Sequence, residues 1–193
     1  MCVAIFQHKG AVIPRLNLQK GFTGNRDGAG FCYVDPETNK VKIERGFMKF
    51  DDLAEAYYPA VEKYGAESPF LVHMRIRTSG HVSAKNTHPF PIRGGAMIHN
   101  GTFFSPSKKY QGPTDDLKSD TRVLAEHLHD VLTYEDVLAA QERILGAVGR
   151  FNKMVFLYDD GRHLILNEKA GVWVDNIWYS NSSCYIPPSH FTR

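Results

Sequence analysis

Short apolar runs separated by turn-forming residues are the feature that most limits what this chain can fold into. Each run is rich in β-branched or aromatic residues and is bounded by Gly, Asn, Asp or Pro, a pattern typical of strands. Turn residues at 35–39 and 159–162 predict two hairpins. The predicted strands are Cys2–Phe6, Phe31–Val34, Val41–Glu44, Phe70–Arg75, Ala96–His99, Met154–Tyr158 and His163–Leu166.

Helical periodicity is confined to two parts of the chain. Apolar residues recur at helical spacing over residues 51–64, although Pro59 is expected to kink or restart that helix. A second apolar stripe starts at Ser119, and a third follows Thr133, which with Asp136 resembles a capping box. Clustered strands with few helices and no regular β-α-β alternation predict an α+β fold.

The composition limits the class of function. A chain of 193 residues is expected to form a single domain over residues 1–193, and 42% hydrophobic residues suffice for its core. The net charge is only +2 and no run of basic residues is present, so nucleic acid is not an expected partner. The sequence has neither a bilayer-spanning apolar stretch nor a secretory signal pattern, so no membrane partner is expected. Three cysteines without a C-x-x-C pair favour reduced thiols in a cytoplasmic protein.

Cys2 would carry two reactive groups if Met1 were removed. An α-amine has an ordinary pKa near 7.7–8.0 and a thiol one of about 8.5, so part of the amine is unprotonated at neutral pH. The amine can then accept the thiol proton directly or through a water molecule. A nucleophile and its base on one terminal residue is the arrangement of N-terminal nucleophile hydrolases. The alternative is an ordinary buried cysteine in a first strand.

Two charged residues are candidates for ligand recognition. Arg75 ends a largely apolar strand, and an inward guanidinium there needs a carboxylate, either of a ligand or of a structural ion pair. Asp120 lies in Ser119-Asp120-Thr121, which opens a predicted helix. These residues either cap the helix or place Asp120 to receive a ligand ammonium.

Asn100 and Gly101 follow the apolar strand 96–99. An Asn-Gly pair at a strand end is by default a hairpin turn. The alternative is an oxyanion hole made by the Asn100 side-chain amide and the Gly101 backbone N–H, two neutral donors that can be fixed before a tetrahedral oxyanion develops.

Six segments in the same order resemble the class II glutamine amidotransferase domain, an N-terminal nucleophile hydrolase. Together they span about residues 1–125, and a looser match covers residues 178–181. The matching segments are Met1-Cys2, Asn25–Phe31, His73–Gly80, Asn86–Phe90, His99–Gly101 and Ser119–Thr121.

The resemblance implies a fold and a reaction. The fold is a four-layer αββα sandwich in which two antiparallel sheets pack between helical layers. Cys2, with its α-amine as base, attacks the side-chain amide of glutamine, a glutamyl thioester forms as ammonia leaves, and water releases glutamate. Asn100 and Gly101 form the oxyanion hole.

The resemblance also implies how glutamine is held. Arg75 binds its α-carboxylate and Asp120 its α-ammonium, while Thr78 and Gly80 shape the pocket and His99 belongs to the same binding group. No cofactor and no metal are implied. An acceptor for the ammonia is expected on a separate synthetase or acceptor-binding subunit.

The chain departs from the family pattern in two ways. Ile76, Arg77 and Ser79 stand where several members have Trp, Ala and His, so gating of the site is expected to differ. Family members normally attach a second domain that consumes the ammonia, and with the chain ending at Arg193 a stand-alone glutaminase subunit is expected. The polar segment 102–118 is the candidate for a lid.

Three other functions remain open at this stage. A γ-glutamyl amide or peptide hydrolase would use the same nucleophile with another leaving group. A silent module would retain the amino-acid pocket without catalysis. A zinc protein would use some of the nine histidines, but their spacing matches no recognised zinc site, and no metal ligand is predicted.

Overall fold

The structure, a computed structural model, describes residues 1–102, 118–128, 133–149 and 151–185. The strands are β1 Val3–Gln7, β2 Ala29–Asp35, β3 Lys40–Phe47, β4 Phe70–Met74, β5 Phe90–Ile92, β6 Gly95–Asn100, β7 Lys153–Tyr158, β8 His163–Leu166, β9 Val172–Val174 and β10 Ile177–Tyr179. The helices are α1 Arg15–Gly24, α2 Phe50–Tyr64, α3 Asp120–Leu128 and α4 Tyr134–Val148.

The strands form two sheets, and every pair of neighbouring strands is antiparallel. The larger sheet has six strands in the order β3-β2-β4-β1-β10-β9, and the smaller has four in the order β5-β6-β7-β8. The predicted α+β class is therefore confirmed. Strand β1 is central in the larger sheet, between β4 and β10, so the residue that precedes it is placed at the sheet's interior.

Strand β1 shows why the central strands read as continuous apolar runs. Successive side chains of a strand point to opposite faces. Val3 and Ile5 belong to a core cluster shared with helices α1 and α2, whereas Ala4 and Phe6 belong to a cluster shared with the four-stranded sheet. Both faces of β1 are thus buried against apolar partners.

The smaller sheet has a second buried face. Met97 of β6 and Phe156 of β7 form a cluster with Ala125 of α3 and Val137 of α4. Thr133 begins α4 with the predicted capping box: its hydroxyl accepts the Asp136 N–H at 3.3 Å, and the Asp136 carboxylate accepts the Thr133 N–H at 3.0 Å.

Pro59 does not restart its helix, so that part of the prediction is wrong, while a kink at Pro59 stays a prediction. Helix α2 runs without a break from Phe50 to Tyr64. Pro59 lies on the exposed side, so the carbonyl left without an N–H partner, that of Glu55, faces water. Leu53 and Tyr57 hold the opposite side of the helix against the larger sheet.

Two expectations extend beyond the part of the chain that the structure describes. The proposed lid lies almost wholly in residues 103–117, and the second apolar stripe continues into 129–132, both outside the described residues. None of the described helices combines the length and the apolar character needed to cross a membrane.

Candidate active site

The Cys2 thiol lies at the start of β1. The residue is 8% exposed, and its Sγ exchanges hydrogen bonds with Ile76, donating to the carbonyl at 3.3 Å and accepting from the N–H at 3.4 Å. Burial raises the pKa of the thiol, and the Ile76 hydrogen bond and the positive charge of Arg75 offset part of that rise. A buried neutral thiol needs a base close by before it can attack.

Met1 is attached to this residue and is 75% exposed. While it is attached, the Cys2 nitrogen belongs to a peptide bond, and its lone pair is delocalised into the carbonyl group. A nitrogen in that state cannot accept the thiol proton. The chemistry predicted for Cys2 therefore depends on removal of Met1.

Arg75 follows β4 beside the thiol. Because Val3 pairs with Met74, the antiparallel register brings Cys2 alongside Arg75. The guanidinium is 3% exposed and donates to the Ser79 carbonyl at 2.6 Å and the His81 carbonyl at 3.1 Å. Among the described residues it forms no ion pair within 4 Å, so its structural partners are backbone carbonyls.

The surroundings of Arg75 carry negative charge at a longer range. Burial lowers the pKa of its guanidinium, while Asp27 and Asp120 oppose that shift electrostatically. Two of its five N–H donors are committed to carbonyls, so others remain for a ligand carboxylate.

Asp120 begins α3 and is 6% exposed. The capping role that the sequence left open belongs to its neighbour, since the Ser119 hydroxyl accepts the Arg122 N–H at 3.2 Å. Asp120 Oδ1 accepts the Thr121 N–H at 2.8 Å, and the Asp120 N–H donates to the Ser79 hydroxyl at 3.1 Å. Ser79 thus connects the segment that holds Arg75 to the start of α3.

Residues 76–80 form the segment that follows Arg75 and contains Ser79. Ile76 is 36% exposed beside the thiol. The Arg77 N–H donates to Asp27 at 2.7 Å, while Arg77 itself is exposed. The Thr78 hydroxyl accepts from that of Thr102 at 3.4 Å, and Gly80 has a φ of +69°, which lets the segment turn back.

Asn100 ends β6 and is 1% exposed. The hairpin interpretation is wrong, because β6 pairs with β7, and β7 begins only at Lys153. The Asn100 carboxamide hydrogen-bonds Ser180 Oγ at 2.7 Å, and the same oxygen accepts the Ala4 N–H at 2.9 Å. Ser180 therefore links Asn100 to the strand that carries the thiol.

Gly101 lies against Asn152. A Cβ at this position would be 2.0 Å from Asn152 Oδ1 and 2.7 Å from His99 Nε2. Asn152 Oδ1 also accepts from that ring nitrogen at 2.8 Å. The close approach explains why the residue after Asn100 is a glycine.

Three buried histidines, His73, His88 and His99, form a hydrogen-bonded cluster next to the site. His73 Nε2 donates to the His99 carbonyl at 2.9 Å, and His73 Nδ1 is 2.9 Å from His88 Nδ1. Burial lowers the pKa of all three imidazoles, that of His73 to about 3, so they are neutral at physiological pH. The described residues contain no group of three histidines, cysteines or carboxylates that could hold a metal ion.

His99 points away from Asn100. Its Nδ1 is 2.8 Å from the Thr121 hydroxyl of α3, and its Nε2 bonds Asn152. Successive residues of β6 face opposite sides of the sheet. A role of His99 in binding substrate stays a prediction; in the structure its ring connects Thr121 of α3 to the Asn152 side chain.

Sequence reasoning missed three polar residues of this region. They are Asn152, Ser180 and Asn181, whose Nδ2 donates to the Cys2 carbonyl at 2.9 Å. The last two fall in the loosely matched segment 178–181. Asn152 precedes a strand and has no sequence signal of its own.

The free energy of unfolding is expected to decrease as the pH falls from 7.5 to 5. The His73 pKa is about 3 in the folded chain and near 6.5 when unfolded, so only the unfolded chain gains a proton in between. Stability is complete above about pH 6.5 and declines toward pH 3. One such histidine contributes about 2 kcal/mol at pH 5.

Urea unfolding at the two pH values measures this decrease. Equal unfolding midpoints at pH 5 and 7.5, with an unchanged slope, would contradict a buried neutral histidine cluster.

Comparison with known proteins gives a structural likeness rather than a match in sequence. No family model and no curated protein matches the sequence. Among solved structures, glutamine phosphoribosylpyrophosphate (PRPP) amidotransferase from B. subtilis, complexed with ADP and GMP, is similar with a TM-score of 0.61 and 16% identity. The match covers 96% of this chain and 43% of that chain.

At this level of identity the likeness shows the fold alone. Two antiparallel sheets and four described helices agree with the family resemblance carried by the six sequence segments. The chain therefore has the fold of the matched part of that amidotransferase.

Proposed function

We propose that this chain is a glutamine amidohydrolase that releases ammonia from the side-chain amide through a Cys2 thioester, once Met1 is removed. One observation carries the proposal. The strand register places Arg75 beside the thiol at the start of β1. Ser180 joins the same strand to the Asn100 carboxamide, because its Oγ is 2.9 Å from the Ala4 nitrogen and 2.7 Å from that carboxamide. The arrangement suits attack on a carbonyl carbon.

The chemistry uses groups of the chain itself. The freed α-amine takes the thiol proton, and the sulfur forms a bond to the amide carbon. The Asn100 side chain and the Gly101 N–H stabilise the oxyanion that develops. The C–N bond then breaks, the proton returns to the departing nitrogen as ammonia, and water hydrolyses the thioester to glutamate and free thiol.

The charges favour an amino-acid head group. Arg75 supplies donors for the α-carboxylate, and the Asp120 carboxylate can receive the α-ammonium. Ser79 bonds both regions, so the two recognition groups are fixed relative to each other. A zwitterion held in this way presents its neutral side-chain amide to the thiol, and the attack becomes effectively intramolecular.

We also propose how the layers of the fold are arranged and where the released ammonia goes. The three core clusters support a four-layer arrangement, in which helices cover the outer face of each sheet. The ammonia is proposed to pass to an acceptor on a partner protein. Thr78 and Gly80 are proposed to shape the glutamine pocket.

Ammonia release tests the proposal. The mature protein, with removal of Met1 verified by intact mass, is incubated with glutamine, asparagine and γ-glutamyl p-nitroanilide. Ammonia from glutamine alone supports the amidohydrolase. Faster release of nitroaniline than of ammonia would favour a general γ-glutamyl hydrolase, and no turnover of either would leave only a binding module.

Asp120→Asn is expected to raise the KM for glutamine by about tenfold or more, because a neutral amide replaces a carboxylate that pairs with the ammonium. The amide keeps an oxygen for the Thr121 N–H, so the start of α3 is expected to persist. Cys2 should still be alkylated by iodoacetamide at least as fast, because loss of the Asp120 charge removes one of the causes that raise the pKa of the thiol. An unaltered KM would remove Asp120 from the glutamine site.

A further inference from the structure

Ser180 lies between the proposed oxyanion donor and the nucleophile strand. It follows β10, is 0% exposed, and its N–H donates to the Ala4 carbonyl at 2.9 Å. Its hydroxyl oxygen is 2.9 Å from the Ala4 nitrogen and 2.7 Å from the Asn100 carboxamide. Among the described residues, no other side chain forms a hydrogen bond with the Asn100 carboxamide.

The hydrogen-bond inventory of this group distinguishes two orientations of the carboxamide. With Nδ2 toward Ser180, the serine oxygen receives two N–H donors, and its own hydroxyl hydrogen has no acceptor among the described residues. Asn100 Oδ1 is then buried without a partner in that part of the chain. Buried polar groups are rarely left unpaired, because each costs about 1–3 kcal/mol.

In the opposite orientation the Ser180 hydroxyl and Asn100 Oδ1 are paired with each other. Ser180 Oγ still accepts the Ala4 N–H, and its hydroxyl hydrogen now has an acceptor in Asn100 Oδ1 at the same separation. The Asn100 Nδ2 group then occupies the buried position, for which the described residues supply no acceptor. The N and O of an amide have nearly the same shape, so hydrogen bonding decides between the two orientations.

We propose that Ser180 is a positioning residue that turns the Asn100 carboxamide so that its N–H donors face the reacting carbonyl oxygen. The inference rests on the proposed function, since it assigns the donor of that oxyanion hole. The hydrogen bond from Ala4 fixes the position of the Ser180 hydroxyl, and that hydroxyl fixes the orientation of the Asn100 carboxamide. A donor held in a buried place before the charge develops stabilises the oxyanion without reorganisation.

The role predicts which kinetic constant responds. Loss of the Ser180 hydroxyl frees the carboxamide to rotate, so the oxyanion loses stabilisation while the glutamine head group remains held. We expect Ser180→Ala to lower kcat about 10- to 100-fold and to change KM less than about threefold. Ser180→Thr, which keeps the hydroxyl, is expected to restore most of kcat.

A double-mutant cycle separates this role from a structural one. If the serine acts only through Asn100, then Ser180→Ala made in an Asn100→Ala protein should change kcat less than about twofold further. Ser68→Ala is the matched control. Ser68 is also buried, accepts the Val34 N–H of the same sheet at 2.8 Å, and lies away from the thiol. It should lose similar stability while keeping kcat.

The outcomes distinguish the inference from the function beneath it. An active wild type with an unaffected Ser180→Ala, or with two substitutions whose effects multiply, overturns the positioning role alone. A wild type without glutaminase activity overturns both. Should Ser180→Ala fail to fold, Ser180→Cys keeps the volume with a weaker hydrogen-bonding group and carries the same expectations.

Discussion

Cys2→Ala is expected to lower the rate of ammonia release from glutamine by more than about a thousandfold. The sulfur is the only atom of the chain that forms a covalent bond to the substrate carbon in the proposed mechanism, and loss of a nucleophile leaves only the acceleration due to binding and the oxyanion hole. Alanine as second residue is small, like cysteine, so removal of Met1 is expected to continue. Intact mass verifies this in both proteins.

Cys32→Ala is the matched control for this loss. Cys32 is also buried, at 0% exposure, and lies on β2 among Ala4 and Leu71, between the two sheets. Burial raises the pKa of its thiol, and Cys32 lies within a strand, where it has no terminal amine to act as its base, so no nucleophilic role is expected of it. The control should lose stability and keep kcat, and ammonia release that survived in Cys2→Ala would exclude the thioester.

Strands were predictable where both faces carry apolar residues. Each of the seven predicted runs contains a strand, and several of these strands begin earlier, as at Ala29, Lys40 and Gly95. Cys2 and Arg75 were predicted to belong to strands but lie just outside β1 and β4. Local composition sufficed because the central strands are enclosed on both sides. Helix α1 escaped prediction because it is mostly polar, and only Leu18 and Phe22 mark its buried side among the aliphatic and aromatic residues.

The last hairpin had a signal that was overlooked. Residues 172–174 and 177–179 flank Asp175-Asn176, and both turn residues have positive φ, of +47° and +62°. Two such residues between alternating apolar runs are typical of a type I′ turn. Recognising it would have identified β9 and β10, and with them the strand that Ser180 follows.

The residues of the candidate site likewise divide into those that the sequence identifies and those that it does not. Cys2 and Arg75 were identifiable because each is chemically unusual at its own position, at a chain start and at an apolar strand end. Ser180 and Asn152 are ordinary polar residues whose importance depends on contacts with residues distant in the chain. Such contacts follow from the pairing of β1 with β10 and of β6 with β7, which no local pattern determines.

Gly101→Ala is expected to be more damaging than any other glycine-to-alanine change in the proposed site. The new methyl group would lie 2.0 Å from Asn152 Oδ1, well inside van der Waals contact. Asn152 cannot easily move aside: His99 bonds its side chain at 2.8 Å, and the Asn167 side chain bonds its carbonyl at 3.1 Å. The backbone at Gly101, with a φ of +157°, must shift instead.

A shift of that backbone affects stability and chemistry together. Overpacking of a rigid buried position costs about 1–3 kcal/mol of the free energy of unfolding. Displacing the Gly101 N–H and the adjoining Asn100 also weakens the proposed oxyanion hole, so kcat is expected to fall more than about a hundredfold. Urea unfolding and steady-state glutamine kinetics measure the two effects separately.

Gly94→Ala separates crowding from backbone preference. Gly94 also has a positive φ, of +66°, but a Cβ there meets no atom within 4 Å. Its alanine variant should lose only about 1 kcal/mol, the cost of the left-handed backbone, and should keep kcat. If Gly101→Ala lost no more stability and no more activity than Gly94→Ala, the Gly101 backbone would not be held by Asn152, and its assignment to the oxyanion hole would fail.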